Sequence, residues 1–214
     1  MRRNKVSHNV ILRLPRYLRH LEDLHQKGMV RISSGELGNQ LGITASQIRQ
    51  DLSCFGEFGQ QGYGYNIEML MTEIAEILGV NQARRAIIIG AGNLGRAIIG
   101  KFPFERYGIS LCAAFDVLPE VVGTEAFGLR VHHMDSLEEM IRETPPDIAI
   151  LTMTSDSANA IAGRLIDAGL RGIWNFTNVD LTIQSPNMVV ENLHFSDSLL
   201  TLSYYMKHGT GEVQ

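Results

Sequence analysis

Residues 86–95 of the chain are AIIIGAGNLG. The apolar run at 86–89 is short and rich in isoleucine, which is typical of a strand buried on both faces of a parallel sheet. Residues 90–95 form a G-x-G-x-x-G motif, and a helical pattern follows to about Lys101. A strand, a glycine-rich turn and a helix in this order predict the first unit of a dinucleotide-binding Rossmann domain.

Downstream of this motif, strand patterns alternate with helical ones, which indicates an α/β fold with a doubly wound parallel sheet. Strands are predicted at 110–115, 129–132, 148–153, 172–176 and 188–191, with helices at 157–168 and 196–207. Asp116 ends the second strand, where a carboxylate accepts hydrogen bonds from ribose hydroxyls and repels a 2′-phosphate, so NAD(H) is favoured over NADP(H). The alternatives are an ordinary β–α turn for the glycines and a strand-end turn residue for Asp116.

Upstream, the first 80 residues are predicted to form helices and a hairpin. A first helix is expected to begin near Pro15 and to end at Gly28. Two capping-box signatures, S-x-x-E from residue 33 and T-x-x-Q from residue 44, predict a short helix and then another through about Phe55. With Gly42 as a tight turn between them, these helices form a helix-turn-helix. The sequence GEFGQQGYGYN (56–66) predicts a β-hairpin, or wing.

The second capped helix has the two faces expected of a helix that reads DNA. At about 100° per residue, Ile48, Leu52 and Phe55 point inward. The other side carries polar groups for base edges and an arginine for phosphate or guanine. These outward and flanking residues are Ser46, Gln47, Arg49, Gln50 and Ser53. A solvated face without DNA contacts is the alternative.

The amino-acid composition indicates whether the protein binds nucleic acid and in which cellular compartment it lies. The net charge of the 214 residues is −4, which by itself disfavours nucleic acid. Residues 1–64, however, carry nine Lys/Arg against five Asp/Glu, whereas residues 65–214 carry ten against eighteen, so a basic module precedes an acidic one. Two cysteines exclude a disulfide framework, and no apolar run approaches the ~18 residues of a membrane span. We therefore expect a cytoplasmic protein with no membrane segment.

Six segments, taken in order, resemble the Rex family of redox-sensing transcriptional repressors. They are RYLRHLEDL (16–24), RISSGELGNQLGITASQIRQDLSCFGEFG (31–59), GYGYN (62–66), IIIGAGNLGRAI (87–98), AAFD (113–116) and GIWNF (172–176). The resemblance covers about residues 8–207. It implies a homodimer that binds palindromic double-stranded operator DNA when NADH is scarce and releases it when NADH binds. It also implies no catalytic activity, and neither a Tyr-x-x-x-Lys pair nor metal-ligand spacing is found.

The residue patterns and the resemblance together assign domains and site residues. The domains are a winged helix at 1–80 (helix-turn-helix about 17–56), a Rossmann domain at 81–194 and a C-terminal helix at 195–214 that is exchanged between subunits. The predicted NAD(H) ligands are Gly90, Ala91, Gly92, Asn93, Leu94, Gly95, Asp116, Val117, Thr152, Met153, Asn175 and Phe176. The predicted DNA contacts are Ser46, Gln47, Arg49, Gln50, Asp51, Ser53, Phe58, Gln60 and Gln61. Arg19 and His194 are the predicted switch pair.

Some residues depart from the family pattern. Gln50 and the Gln60–Gln61 pair stand where the family usually has basic residues, Cys54 replaces a tyrosine, and His194 replaces an acid. Fewer cationic contacts weaken DNA affinity and flatten its salt dependence. A Rex-like paralogue with another operator or ligand is therefore an alternative, as are a small NAD-dependent enzyme and a coenzyme-A-binding module, which Asp116 disfavours.

Overall fold

A computed structural model describes residues 6–56, 58–60, 63–183 and 185–209. Contacts divide the chain into two compact units, Met1–Gln82 and Ala83–Gln214. Each unit has hydrophobic clusters of its own. No helix among the described residues is long and apolar enough to cross a bilayer.

The first unit is a winged helix. Its elements are α1 (His8–Gln26), β1 (Arg31–Ile32), α2 (Ser34–Leu41), α3 (Ala45–Ser53), β2 (Gly59–Gln60), β3 (Gly64–Asn66) and α4 (Ile67–Leu78). The small sheet has the order β1-β3-β2, and both pairings are antiparallel. The core lies between the helices and includes fully buried Leu14, Tyr17, Leu21 and Ile48.

The predicted capping signals define the helix starts. The Ser33 hydroxyl accepts from the Glu36 backbone N–H, and the Glu36 carboxylate accepts from the Ser33 N–H, so the first box is complete. Thr44 likewise accepts from the Gln47 N–H at 3.2 Å, but the Gln47 side chain bonds elsewhere, which leaves the second box half formed. These caps satisfy N–H groups that have no partner inside a helix.

The predicted start of the first helix was wrong. The helix α1 begins at His8, so Pro15 lies inside it. A proline there removes one intrahelical hydrogen bond. The apolar positions Val10, Leu14, Leu18 and Leu21 continue through Pro15 at helical spacing and are buried. Pro15 itself faces solvent, where water can bond the carbonyl that the ring leaves unpaired.

The second unit is a Rossmann fold around a seven-stranded sheet. Its strands are β4 (Arg84–Ile89), β5 (Ile109–Asp116), β6 (Glu125–Ala126), β7 (Leu129–His133), β8 (Ile148–Leu151), β9 (Gly172–Asn175) and β10 (Val189–Asn192). Its helices are α5 (Asn93–Lys101), α6 (Leu137–Glu143), α7 (Ala158–Asp167) and α8 (Phe195–His208). The sheet order is β10-β9-β8-β4-β5-β7-β6, and all pairings except β6–β7 are parallel.

The two faces of this sheet are covered differently. The helices α6 and α7 cover one face, where Phe115, Leu137 and Leu165 are fully buried. The other face is packed by α5, and the connection from β5 to β7 is the short β6 hairpin instead of a helix. Beside α5, ring contacts join the aromatic row Phe102–Trp174–Phe176–Phe195, with centroids 4.5–6.2 Å apart.

The C-terminal helix α8 contains no buried residue. Its apolar side chains are nevertheless numerous: Phe195, Leu199, Leu200, Leu202, Tyr204 and Met206 are each more than half exposed. Four of them, Phe195, Leu199, Leu202 and Met206, fall on one face at helical spacing, and an exposed apolar face of this kind marks an interaction site.

Candidate functional site

A cavity of about 360 Å³ opens at the carboxyl edge of the large sheet. There β4 lies between β5 and β8. The chain passes from β4 to β5 and β7 on one side and then crosses to β8 on the other side, so the strand order reverses between β4 and β8. Ligands of doubly wound sheets bind at this position. The cavity is lined by Ile89, Gly90, Gly92, Asp116, Val117, Leu118, Met134, Thr152, Met153, Thr154, Ser157, Ile161 and Arg164.

The turn after β4 is packed too tightly for side chains. Gly90 has a φ of +100°, and a Cβ there would lie 2.7 Å from the Met153 nitrogen. A Cβ at Gly95 would lie 1.9 Å from the Gly90 carbonyl oxygen. The Thr152 hydroxyl donates to that same oxygen at 2.6 Å. Glycine is therefore required at these two positions by backbone geometry and by close helix–strand packing.

Gly92 differs from its neighbours because it faces open space. It is the N-cap of α5, it is exposed, and no atom lies within 4 Å of the position of a Cβ. The first N–H groups of α5 have no partner within the helix, and the helix dipole places positive potential there. The combination fits a phosphate group that approaches the backbone closely.

Asp116 is held in a fixed orientation at the end of β5. One carboxylate oxygen accepts from the Ala91 N–H at 2.7 Å, and the other accepts from the N–H groups of Val117 (2.7 Å) and Leu118 (3.0 Å). The residue is 8% exposed. A carboxylate has about four lone-pair sites, and these three N–H groups use three of them, so about one site remains for a hydroxyl donor in the cavity.

The cavity is lined by six of the twelve predicted cofactor residues. Gly90, Gly92, Asp116, Val117, Thr152 and Met153 line it. Ala91, Asn93, Leu94 and Gly95 belong to the same turn and the start of α5 without lining it. Asn175 and Phe176 do not line it either.

The side chain of Asn175 is hydrogen-bonded within the protein, and its contact with the cofactor stays a prediction. The residue is fully buried. Its amide nitrogen donates to Val179 O and Asn192 Oδ1, and its oxygen accepts from the N–H and hydroxyl of Thr177. All of these bonds stay within the protein, so Asn175 fixes the loop after β9. Phe176 belongs to the aromatic row.

Sequence reasoning missed the apolar half of the cavity. Met134 follows β7, the next parallel strand, and Ile161 comes from α7. The position of Met134 at a strand's carboxyl end was an available signal, since parallel strands end at one edge of the sheet. Arg164 anchors this wall: it donates to both Glu138 oxygens (2.6 and 2.8 Å) and to Met134 O at 2.8 Å.

In the first unit, α3 presents the predicted polar face to solvent. Ser46, Arg49, Gln50 and Ser53 are exposed. Arg49 Nη1 donates to the Ser34 hydroxyl at 2.9 Å, which ties its guanidinium to the start of α2. Four exposed polar side chains on one helix suit contacts with base edges and phosphates.

Asp51 lies on the opposite side of α3, which revises the prediction that it contacts DNA. It is fully buried. Its carboxylate accepts from Arg13 Nε (2.6 Å) and Nη2 (2.8 Å), from the Tyr17 hydroxyl (2.7 Å) and from the Gln47 amide (2.7 Å). Burial alone would raise the pKa of Asp51, but hydrogen bonds from Arg13, Tyr17 and Gln47 outweigh burial and lower the pKa. Asp51 therefore joins α3 to α1.

The other residues predicted to contact DNA either contact the protein itself or lie outside the described residues. The Gln47 side chain is turned toward Asp51. Phe58 is half-buried and packs against the core of the first unit. Of the wing glutamines, the side chain of Gln60 and the whole of Gln61 lie outside the described residues.

The predicted switch residues lie in different units. His194 precedes α8, and its Nε2 lies 2.8 Å from Asp180 Oδ1. The hydrogen bond with Asp180 raises the pKa of His194. Arg19 is an exposed residue of α1. Pairing between Arg19 and His194 stays a prediction.

Family models match both units. A model described as "Putative DNA-binding protein N-terminus" matches residues 5–53, and one described as "CoA binding domain" matches residues 81–179.

Curated relatives match nearly the whole chain. The "Redox-sensing transcriptional repressor Rex" of Thermoanaerobacter pseudethanolicus is 47% identical, with 95% of this chain and 90% of the relative covered. That of Clostridioides difficile is 46% identical, with 95% and 97% covered.

Solved structures are similar as well. RSP in complex with β-NAD+ and operator DNA has a TM-score of 0.89 and 45% identity, with 99% of this chain and all of that chain covered. RSP in complex with β-NADH has a TM-score of 0.89 and 43% identity, with 96% of each chain covered.

Proposed function

The chain belongs to the Rex family of redox-sensing transcriptional repressors, and on that premise we propose that it binds operator DNA and releases it when NADH binds. The observation that carries this proposal is the pairing of two sites in one chain. The edge of the Rossmann sheet offers an open helix N-terminus beside the oriented carboxylate of Asp116, and α3 offers an exposed polar face. The chain is a regulator and not an enzyme.

The residues of the cavity fit NAD(H). The N-terminus of α5 at Gly92 would hold the pyrophosphate, and the remaining acceptor site of Asp116 would accept from a ribose hydroxyl. Val117, Met134 and Ile161 provide the apolar wall that an adenine ring requires. Bound NADH would supply a nicotinamide ring whose oxidation state the protein distinguishes.

Regulation follows from differential affinity. A ligand shifts a conformational equilibrium only by the difference of its affinities for the two states. Successive major grooves require the two recognition helices of a dimer to lie ~34–36 Å apart. We infer that NADH favours an arrangement with another spacing, in which the α3 helices of the two subunits no longer fit the operator.

A mobility-shift titration tests the function. The expected result is that the chain shifts the operator duplex that was crystallised with RSP, and that NADH releases the duplex at concentrations where NAD⁺ does not. Equal effects of NADH and NAD⁺ would contradict redox sensing. A Rex-like paralogue with another operator would show binding only to a different duplex.

We also propose that the chain is a cytoplasmic homodimer that exchanges residues 195–214, with domains at 1–80 and 81–194. The exposed apolar residues of α8 support the exchange. Phe195 also connects α8 to Phe176 of the aromatic row, at 6.2 Å between centroids.

Polar substitutions in α8 are expected to weaken the dimer. Leu199 and Leu202 are 65% and 54% exposed and lie on one face at helical spacing. Replacing both by glutamine removes about 3 kcal/mol of apolar burial per exchanged helix. The two helices of a dimer together lose about 6 kcal/mol, which corresponds to roughly a 10⁴-fold weaker dimer. Sedimentation equilibrium measures this change. Thr201→Gln, on the opposite face, is the control, and an unchanged dimer in the double variant would contradict the exchange.

A further inference from the structure

Two basic residues of α1 serve the fold of the first unit. Arg13 is paired with buried Asp51. Arg16 Nη2 donates to the carbonyl of Leu41, the last residue of α2, at 2.6 Å. A helix C-terminus leaves carbonyl groups unpaired, so Arg16 stabilises the end of α2. The carboxylate of Asp51 thus compensates the charge of Arg13, whereas the exposed guanidinium of Arg16 keeps its charge at the end of α2.

Arg31 is a cation held at the wing. It is exposed, and it begins β1, which pairs with β3 of the hairpin. Its Nη1 donates to the carbonyl oxygen of Tyr63 at 3.0 Å, and its Cζ lies 5.9 Å from the centroid of the Tyr63 ring. Stacking on an aromatic ring orients a guanidinium while it leaves the charge in place. Two contacts thus fix Arg31 against the hairpin.

Most of the Arg31 donors remain available. A guanidinium has five N–H donors in a planar fork, and one nitrogen of Arg31 bonds to Tyr63. Among the described residues, no carboxylate lies within ion-pairing distance of Arg31. Within the described part of the chain, Arg31 is therefore an oriented cation without a carboxylate partner, which is suited to an anion with several acceptor oxygens.

Arg31 also lies close in the sequence to Ser34, the residue that contacts the recognition helix α3. Ser34, which accepts from Arg49 of α3, is three residues further on, so the two backbone positions are at most about 11 Å apart. The segment 31–34 thus begins with Arg31 beside the wing and ends with Ser34, which is hydrogen-bonded to Arg49 of the recognition helix. Both guanidiniums are exposed and held by hydrogen bonds.

We propose that Arg31 binds a phosphate of the double-stranded DNA backbone and supplies the cationic contact that the neutral wing glutamines do not. This inference rests on the proposed function, since it requires that the chain binds DNA. Tyr63 acts as the positioning residue. The contact is to phosphate, and it contributes affinity without sequence preference.

The salt dependence of DNA binding tests this assignment. Each phosphate contact contributes about 0.9 to the slope of log K against log[salt]. Arg31→Gln is expected to reduce the slope by about 0.9, which at 0.1 M salt corresponds to about an eightfold loss of affinity. Arg31→Lys is expected to keep the slope. The measurement is fluorescence anisotropy of two duplexes of equal length, the operator duplex crystallised with RSP and a scrambled sequence, between 50 and 300 mM NaCl.

A matched variant separates a local contact from net charge. Arg130→Gln removes one exposed arginine of the second unit and is expected to leave the slope unchanged. Thermal unfolding checks that each variant is folded. A weaker Arg31→Gln complex with the wild-type slope would overturn the proposal, because only a structural role would remain. A loss confined to the operator duplex would also overturn it in favour of a base contact. Failure of the unsubstituted chain to bind either duplex would instead refute the proposed function as well.

Discussion

Gly95→Ala is expected to destabilise the second unit by about 3 kcal/mol and to abolish measurable NADH binding. The added methyl group would lie 1.9 Å from the Gly90 carbonyl oxygen and 3.0 Å from the Thr152 hydroxyl. Both neighbours are fixed in the turn, so α5 must move away from β4, and overpacking of this kind costs 1–3 kcal/mol or more. Denaturant unfolding followed by the fluorescence of Trp174, the one tryptophan of the chain, measures the stability of this unit.

Gly92→Ala is the matched comparison, because its methyl group would enter open space. Stability is expected to change by less than about 0.5 kcal/mol. NADH affinity is nevertheless expected to fall at least tenfold, since the methyl group would occupy the approach of the pyrophosphate. Wild-type NADH affinity in both variants, measured by calorimetric titration, would place the cofactor elsewhere.

Asp51→Ala is expected to destabilise the first unit by about 3 kcal/mol and to weaken operator binding. The substitution leaves the Tyr17 hydroxyl buried without its acceptor and Arg13 without its counter-charge, and breaking such a pair by removing one partner is strongly destabilising. Far-UV circular dichroism is expected to show the helices of this unit melting at lower denaturant, while the Trp174 transition of the second unit stays unchanged.

The control for Asp51 is Asp23→Ala, which removes an exposed carboxylate from α1 and is expected to have little effect. The dependence of stability on pH gives a second measurement of the role of Asp51. Because the pKa of Asp51 is lowered in the folded protein, its stabilisation is complete above the ordinary pKa of about 3.9 and is lost as the pH falls through the lower folded value. The wild-type first unit should therefore lose stability below about pH 4 more steeply than Asp51→Ala. Parallel acid-unfolding curves would contradict this role.

Features that depend on neighbouring residues in the chain were predictable from the sequence. The capping box of Ser33 and Glu36 and the turn at 90–95 both act over a few residues, and the structure contains them as predicted. The carboxylate of Asp116 was predictable because the strand pattern itself locates the edge of the sheet. Strand boundaries deviated by one or two residues, which is usual where assignments depend on fraying ends.

Features that depend on distant partners were not predictable in the same way. Asp51 is bonded to Arg13, 38 residues away, and no local pattern identifies that partner. Its position three residues after buried Ile48 did place it beside the inward face, which was an available signal. Pro15 was misjudged because burial of the α1 stripe outweighs the loss of one hydrogen bond. The hydrogen bonds of Asn175 with Val179 and Asn192 likewise form only in the folded protein, and its contact with the cofactor stays a prediction.

The division of α3 into two faces has an evolutionary consequence. Ser46, Gln50 and Ser53 are exposed, so substitutions at these positions are expected to change stability by about 0.5 kcal/mol or less. Asp51 is bonded to three other side chains and tolerates no such change. On the proposal that these residues contact the operator, its preferred sequence can drift by single mutations among descendants of this gene, while the scaffold that presents the helix is kept under purifying selection.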